Sequence, residues 1–190
     1  MRFTGSAEAL ESLKKVILSN EEYLKKVEER NEGLADEYKL EPNTIGKIDF
    51  NVLIMPPTNV FMGNVTTDGR TNETEWFGWR CKNWGCRWNV SEDVCSQSED
   101  MLTDDTWQID FDTAWDLPTK WWDKVAEKCI ELGISAEGEY ADEDFGGMHG
   151  DFILDESGMC YAGDNENAYY ELWGDDEEEF EENFDDAEYE

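Results

Sequence analysis

At 190 residues the chain has room for one domain with extensions or for two small ones. Its 48 Asp and Glu against 15 Lys and Arg give a formal charge of −33, yet 39% hydrophobic and 13% aromatic content argues for a packed core over wholesale disorder. A field of that sign repels DNA, RNA and anionic membrane and attracts cationic partners.

The charge is unevenly spread. Residues 1–130 hold all 15 basic side chains and 25 acidic ones, whereas residues 131–190 hold 23 acidic side chains and no basic one. No apolar run approaches the roughly 18 residues of a membrane span, and the N-terminus leads into a charged amphipathic segment instead of a signal-peptide core, so a cytosolic location is expected. Five cysteines, Cys81, Cys86, Cys95, Cys129 and Cys160, are odd in number and irregularly spaced, which fits reduced thiols better than a disulfide framework.

In chain order, Ser6 is placed to cap a helix over residues 7–19, with Ala9, Leu10, Leu13, Val16 and Ile17 on one stripe. Asn20 restarts a helix through Tyr23, Leu24 and Val27, broken at residues 31–33. Residues 48–55 have strand composition and stop at Pro56-Pro57. Residues 58–75, rich in Thr, Asn and Gly with an Asp68-Gly69 turn signal, read as a loop. Residues 76–89 hold four Trp together with Arg80, Lys82 and Arg87. Stacking on nucleic-acid bases would have to overcome the overall charge, so Trp84, Trp88 and Trp115 are expected in the core, with Arg guanidiniums on indole faces.

Residues 106–115 alternate Trp, Ile and Phe with polar residues, the period of a half-buried strand. Pro118 suits an early helical turn, and Trp121, Trp122, Val125, Ala126, Cys129 and Ile130 predict the apolar face of a helix ending at Gly133. Short strands are expected near 134–140, 151–154 and 159–162, separated by turns at Gly146-Gly147 and at residues 156–158. Together these make a small α+β sheet with helices on one face.

Two motifs here, Asn83-Trp84-Gly85-Cys86-Arg87-Trp88-Asn89 and Phe111-Asp112-Thr113-Ala114-Trp115-Asp116-Leu117-Pro118, followed by a helix and a strand at Glu139-Tyr140, resemble the YubB-type ferredoxin-like domain of phage and plasmid proteins. That family usually reads Asn-Trp-Gly-Thr-Lys-Trp and Phe-Asp-Thr-Ala-Trp-Ser-Pro-Pro, so Cys86 and Asp116-Leu117 are departures. The resemblance covers about residues 45–163 and implies a ferredoxin-like antiparallel sheet and a mobile-element origin, with no established activity. The expected organisation is an N-terminal helical region over 1–44, the α+β domain over 45–163 and an acidic helix or tail over 164–190.

Chemistry-bearing constellations are sparse. Cys81, Cys86 and Cys95 with His149 lack the tight pairs of a zinc site, and no segment has the register of a calcium loop, so no metal or cofactor is expected. His149, in a Gly-rich turn beside Asp144 and Asp151, could be drawn as a general base with one of the cysteines as nucleophile, but no signature surrounds it. The acidic C-terminal half is more informative. Residues 165–173 suit a helix ending at Gly174, and Phe180 and Phe184 would share a helical face in the run 175–190.

B-DNA presents one negative charge per about 1.7 Å of axis, and a folded protein that displays carboxylates at similar density can occupy a DNA-binding groove. The expected function is therefore a DNA mimic that inhibits a basic, nucleic-acid-binding host protein, such as a restriction, CRISPR or nuclease complex in a bacterial cytoplasm, with no catalysis of its own. Its carriers would be Glu137, Glu139, Asp142, Glu143, Asp144, Asp151, Asp155, Asp164, Glu166, Glu171, Asp175, Asp176, Glu177, Glu178, Glu179, Glu181, Glu182, Asp185 and Asp186. An isologous dimer would lengthen the stripe. The alternative is an acidic adaptor or chaperone for a basic protein without DNA mimicry, and the next an enzyme using His149.

Overall fold

The computed structural model describes residues 1–65, 72–90, 97–142, 148–155 and 158–163, with 165, 168 and 172. Strand β1 (Arg2–Thr4) leads into helix α1 (Ala7–Ile17), whose N-cap Ser6 accepts from the Ala9 amide, and then into α2 (Glu21–Asn31), capped by the Asn20 side chain at the Tyr23 amide. Both caps stand where the sequence placed them. A 3-10 turn (Asp36–Tyr38), a four-residue helix α3 (Phe50–Leu53) and α4 (Trp76–Asn83) follow. After them come β2 (Gln97–Thr103), β3 (Thr106–Phe111), α5 (Thr119–Leu132), β4 (Ser135–Ala141), β5 (His149–Asp155) and β6 (Gly158–Gly163).

The six strands form one antiparallel sheet in the order β2-β3-β1-β4-β5-β6. β1 therefore lies in the interior of the sheet, flanked by strands more than a hundred residues away, although the sequence marks residues 1–44 as helical. Phe3, Trp107, Ile109, Ala136, Phe152 and Leu154 point to one face and share a core with Leu10, Leu13 and Ile17 of α1 and Trp121, Trp122 and Val125 of α5. Phe3 stacks on Trp107 at 5.3 Å between centroids, and Trp122 lies against Phe152 at 4.8 Å. Each of these fully buried side chains contributes roughly 1.5–3 kcal/mol of burial free energy. β1, despite its three residues, is thereby held by ladder bonds at both edges and by the apolar core under Phe3.

The strand expected over 48–55 is instead the helix α3. Burial there is continuous over Ile48, Asp49, Phe50 and Asn51, with no period of two, and Asp49 is an N-cap that accepts from the Asn51 amide at 2.9 Å. Asp49 is fully buried and also takes bonds from the Tyr23 hydroxyl (2.8 Å), the Asn43 amide (2.9 Å), Asn51 Nδ2 (2.7 Å) and Asn89 Nδ2 (2.8 Å). Buried polar groups are tolerated when so satisfied.

Two further expectations fail. Trp115 does not enter the core: β3 ends at Phe111, and Trp115 is 84% exposed in the left-handed region at φ 73°. Ile130 is exposed, because it falls outside the stripe of Trp122, Val125, Ala126 and Cys129. Trp84 is fully buried as expected, while Trp88 stands at the rim.

Candidate functional site

The face of the sheet opposite the helices is polar, and its register follows from the pairing. Asp100, Gln108, Arg2, Glu137 and Ile153 line up across β2, β3, β1, β4 and β5, and a second row runs through Ser98, Asp110, Glu139 and Asp151. Directly paired residues project to the same side, so both rows share the open face. Its carboxylates are Asp100, Asp110, Glu137, Glu139 and Asp151, and the cations among the described residues beside them are Arg2 and the Met1 ammonium, which pairs with Asp110 Oδ1 at 3.4 Å.

Arg2 bridges its neighbours, with Nη1 donating to Glu137 Oε1 and Nη2 to Gln108 Oε1, each at 3.3 Å. The pair is half-exposed on both sides, so it contributes little stability. A broad hollow of about 980 Å³ lies over this end of the sheet, walled by Asp110, Asp112, Glu139 and Asp151 and reached by Leu172. Asn165 Nδ2 donates to Asp151 Oδ1 at 2.6 Å, which holds Asn165 at the open face.

Of the carboxylates named from sequence, Glu137, Glu139 and Asp151 come together on this face, and Asp142 follows β4 with its amide donating to Met148 O at 2.8 Å. Asp155 ends β5. Glu143, Asp144, Asp164, Glu166, Glu171, Asp175, Asp176, Glu177, Glu178, Glu179, Glu181, Glu182, Asp185 and Asp186 lie outside the described residues, as do Phe180 and Phe184. Asp100 and Asp110 were missed in the sequence because they belong to the first 130 residues, where basic side chains mask the local excess. The alternation of β3 around Trp107 and Ile109 is the signal that would have found Asp110.

His149 opens β5 opposite Ala141, half-buried on the open face. Cys129 and Cys86 belong to the core on the other side of the sheet, so neither meets it. Burial pushes both thiols up to about 12, and Cys86 Sγ donates to Trp88 O, leaving each protonated and a poor nucleophile near neutral pH. Cys81 is half-buried, Cys160 lies in β6 opposite Ile153, and Cys95 is outside the described residues. Among the described residues no group of three His, Cys, Asp or Glu is placed to hold a metal ion, and no helix is long and apolar enough to cross a membrane. Comparison with family models, curated proteins and solved structures finds no match.

Proposed function

We propose that the chain is an acidic inhibitor that imitates DNA and occupies the DNA-binding surface of a basic host protein, with the open sheet face as the docking surface. The observation that supports this reading is the register itself: five carboxylates stand on one sheet face against two cations, Arg2 and the Met1 ammonium. Neighbouring strands are about 4.8 Å apart and same-face residues about 7 Å apart along a strand, so Glu139 stands about 5 Å from Asp151 and about 7 Å from Glu137, a cluster with a charge spacing similar to that of backbone phosphates. A sheet holds that spacing without the entropy cost of ordering a tail.

The order β2-β3-β1-β4, with α1 and α5 as the crossovers, supports the ferredoxin-like reading, with β5 and β6 added at one edge. The resemblance to phage and plasmid proteins fits a target in a bacterial cytoplasm, where the acidic segment beyond residue 164 would extend the surface.

The test is capture of partners on the immobilised full chain at low salt, followed by washing with duplex DNA. A stoichiometric nucleic-acid-binding protein released by DNA supports the reading. A partner that DNA cannot release points to an acidic adaptor. The combined change Asp110→Asn, Glu137→Gln, Glu139→Gln and Asp151→Asn should weaken capture at least about tenfold, each lost desolvated charge pair costing on the order of 1 kcal/mol or more.

A further inference from the structure

On the far side of the molecule from this acidic face, α4 and the turn after it assemble the opposite chemistry. The Arg80 guanidinium lies over the rings of Trp76 and Trp84, 4.9 Å from each centroid. Arg87 lies 4.4 Å over Phe77 and 4.8 Å over Trp88. Trp76 and Trp88 are themselves 5.1 Å apart, and Trp76 is pinned by its Nε1 donating to Gly63 O at 3.0 Å. Trp76, Phe77, Arg80, Arg87 and Trp88, with Met62, Asn64 and Val65, wall a hollow of about 420 Å³.

Neither guanidinium forms an ion pair or a hydrogen bond with another described residue, and the Nε of each is enclosed without a partner. Indole faces offset part of the desolvation of such a cation, but they do not accept N–H bonds in the plane of the guanidinium. Burial accordingly pushes Arg80 down to about 10. The nearby cation Lys82 is already matched, to Glu73 at 2.6 Å. Two guanidiniums whose Nε atoms meet no acceptor among the described residues, with the Asp49 carboxylate acting on Arg80 through the core, make this aromatic hollow a site suited to an oxyanion.

We propose that this hollow binds a small anion bearing a flat ring, its phosphate or carboxylate head held by Arg80 and Arg87 and its ring laid against Trp88. The volume lies within the range of small-molecule sites. Trp88, 36% exposed at the rim, offers the free aromatic surface. A polymer such as RNA is disfavoured, because every added phosphate meets the field of the −33 chain, whereas a ligand of one or two charges pays that repulsion once.

The experiment titrates the full chain with adenosine monophosphate, benzoate, inorganic phosphate and adenosine, followed by calorimetry and indole fluorescence. Saturable binding of adenosine monophosphate or benzoate below about 1 mM, at least tenfold tighter than inorganic phosphate or adenosine, is expected, and which of the two binds identifies the head group. Arg87→Gln should weaken that probe by about tenfold or more, and Trp88→Ala should weaken it too, with circular dichroism showing each variant folded at the assay temperature. No saturation by either ring-bearing anion up to about 10 mM, or full retention of binding in both variants, overturns the proposal. Neutralising the open-face carboxylates should leave this binding in place, which separates its failure from that of the inhibitor reading.

Discussion

The Trp84 carbonyl accepts hydrogen bonds from the amides of both Lys120 and Trp121, at 3.1 Å each. Helix α5 has no side-chain cap, since Pro118 occupies that position, so a carbonyl from 36 residues upstream satisfies amides that the helix leaves open. The two sequence motifs around Trp84 and Pro118 are thus one structural unit.

Gly85 makes that unit possible. It sits at φ +91°, and a Cβ there would come within 2.6 Å of Thr119 Oγ1 and 2.9 Å of the Thr119 amide. Gly85→Ala should combine backbone strain with a clash against backbone and cost about 3 kcal/mol, read as a shift of the urea midpoint without a change in slope.

Asp49 joins Tyr23, Asn43, Asn51 and Asn89 in one buried network. Asp49→Ala would leave several donors without an acceptor and should cost at least about 3 kcal/mol in the same assay. Asp49→Asn should recover little of this, because its NH2 group would face donors.

Alkaline pH should unfold the protein through its buried thiols. Cys86 and Cys129 are raised from 9.0 to about 12 by burial, so the folded state keeps protons that the unfolded chain sheds. Their contribution is full below about pH 9 and falls by roughly 1.4 kcal/mol per thiol for each pH unit up to about 12. Tyr23, raised by burial and by Asp49, adds to the loss above its ordinary value of 10. Denaturation midpoints measured from pH 8 to 11 should show this fall, and Cys129→Ala should flatten it.

Trp115 carries a left-handed backbone with no packing to justify it. Trp115→Gly should relieve about 1 kcal/mol and raise the melting temperature by roughly 2–4 °C in calorimetry. If the open face and this indole dock on one partner, the same change would weaken capture while stabilising the free chain, the usual signature of strain kept for function.

The sequence was most legible where local chemistry and tertiary packing agree. Ser6 and Asn20 cap real helices, Gly133 ends α5 at φ 68°, and the alternation of Trp107 and Ile109 marks β3. Residues 48–55 misled because Ile48, Val52 and Ile54 favour strands, whereas the fold needs Asp49 as a buried acceptor and a turn of helix to aim it. β1 is too short to show a period, with Phe3 as its single inward side chain, and β2 is an edge strand exposed along nearly its whole length. On the open face, Glu137, Glu139 and Asp151 were visible as acidic residues, but only the strand register could place Asp100 and Asp110 beside them. The arginine hollow was legible as composition and hidden as geometry, since its rings come from both ends of α4 and its wall from residues 62–65.

Residues 2–4 hydrogen-bond to residues 106–108 on one side and 135–137 on the other. During synthesis at about 5–20 residues per second, the first strand therefore waits roughly 7–27 s for its second neighbour. Until residues 97–111 have been made, Phe3 and the backbone around it have no sheet to enter, and until residues 135–137 follow they have a neighbour on one side alone. Completing the sheet sets residues 2–4 between strands made later, a long-range event that ties both halves of the polypeptide into one sheet.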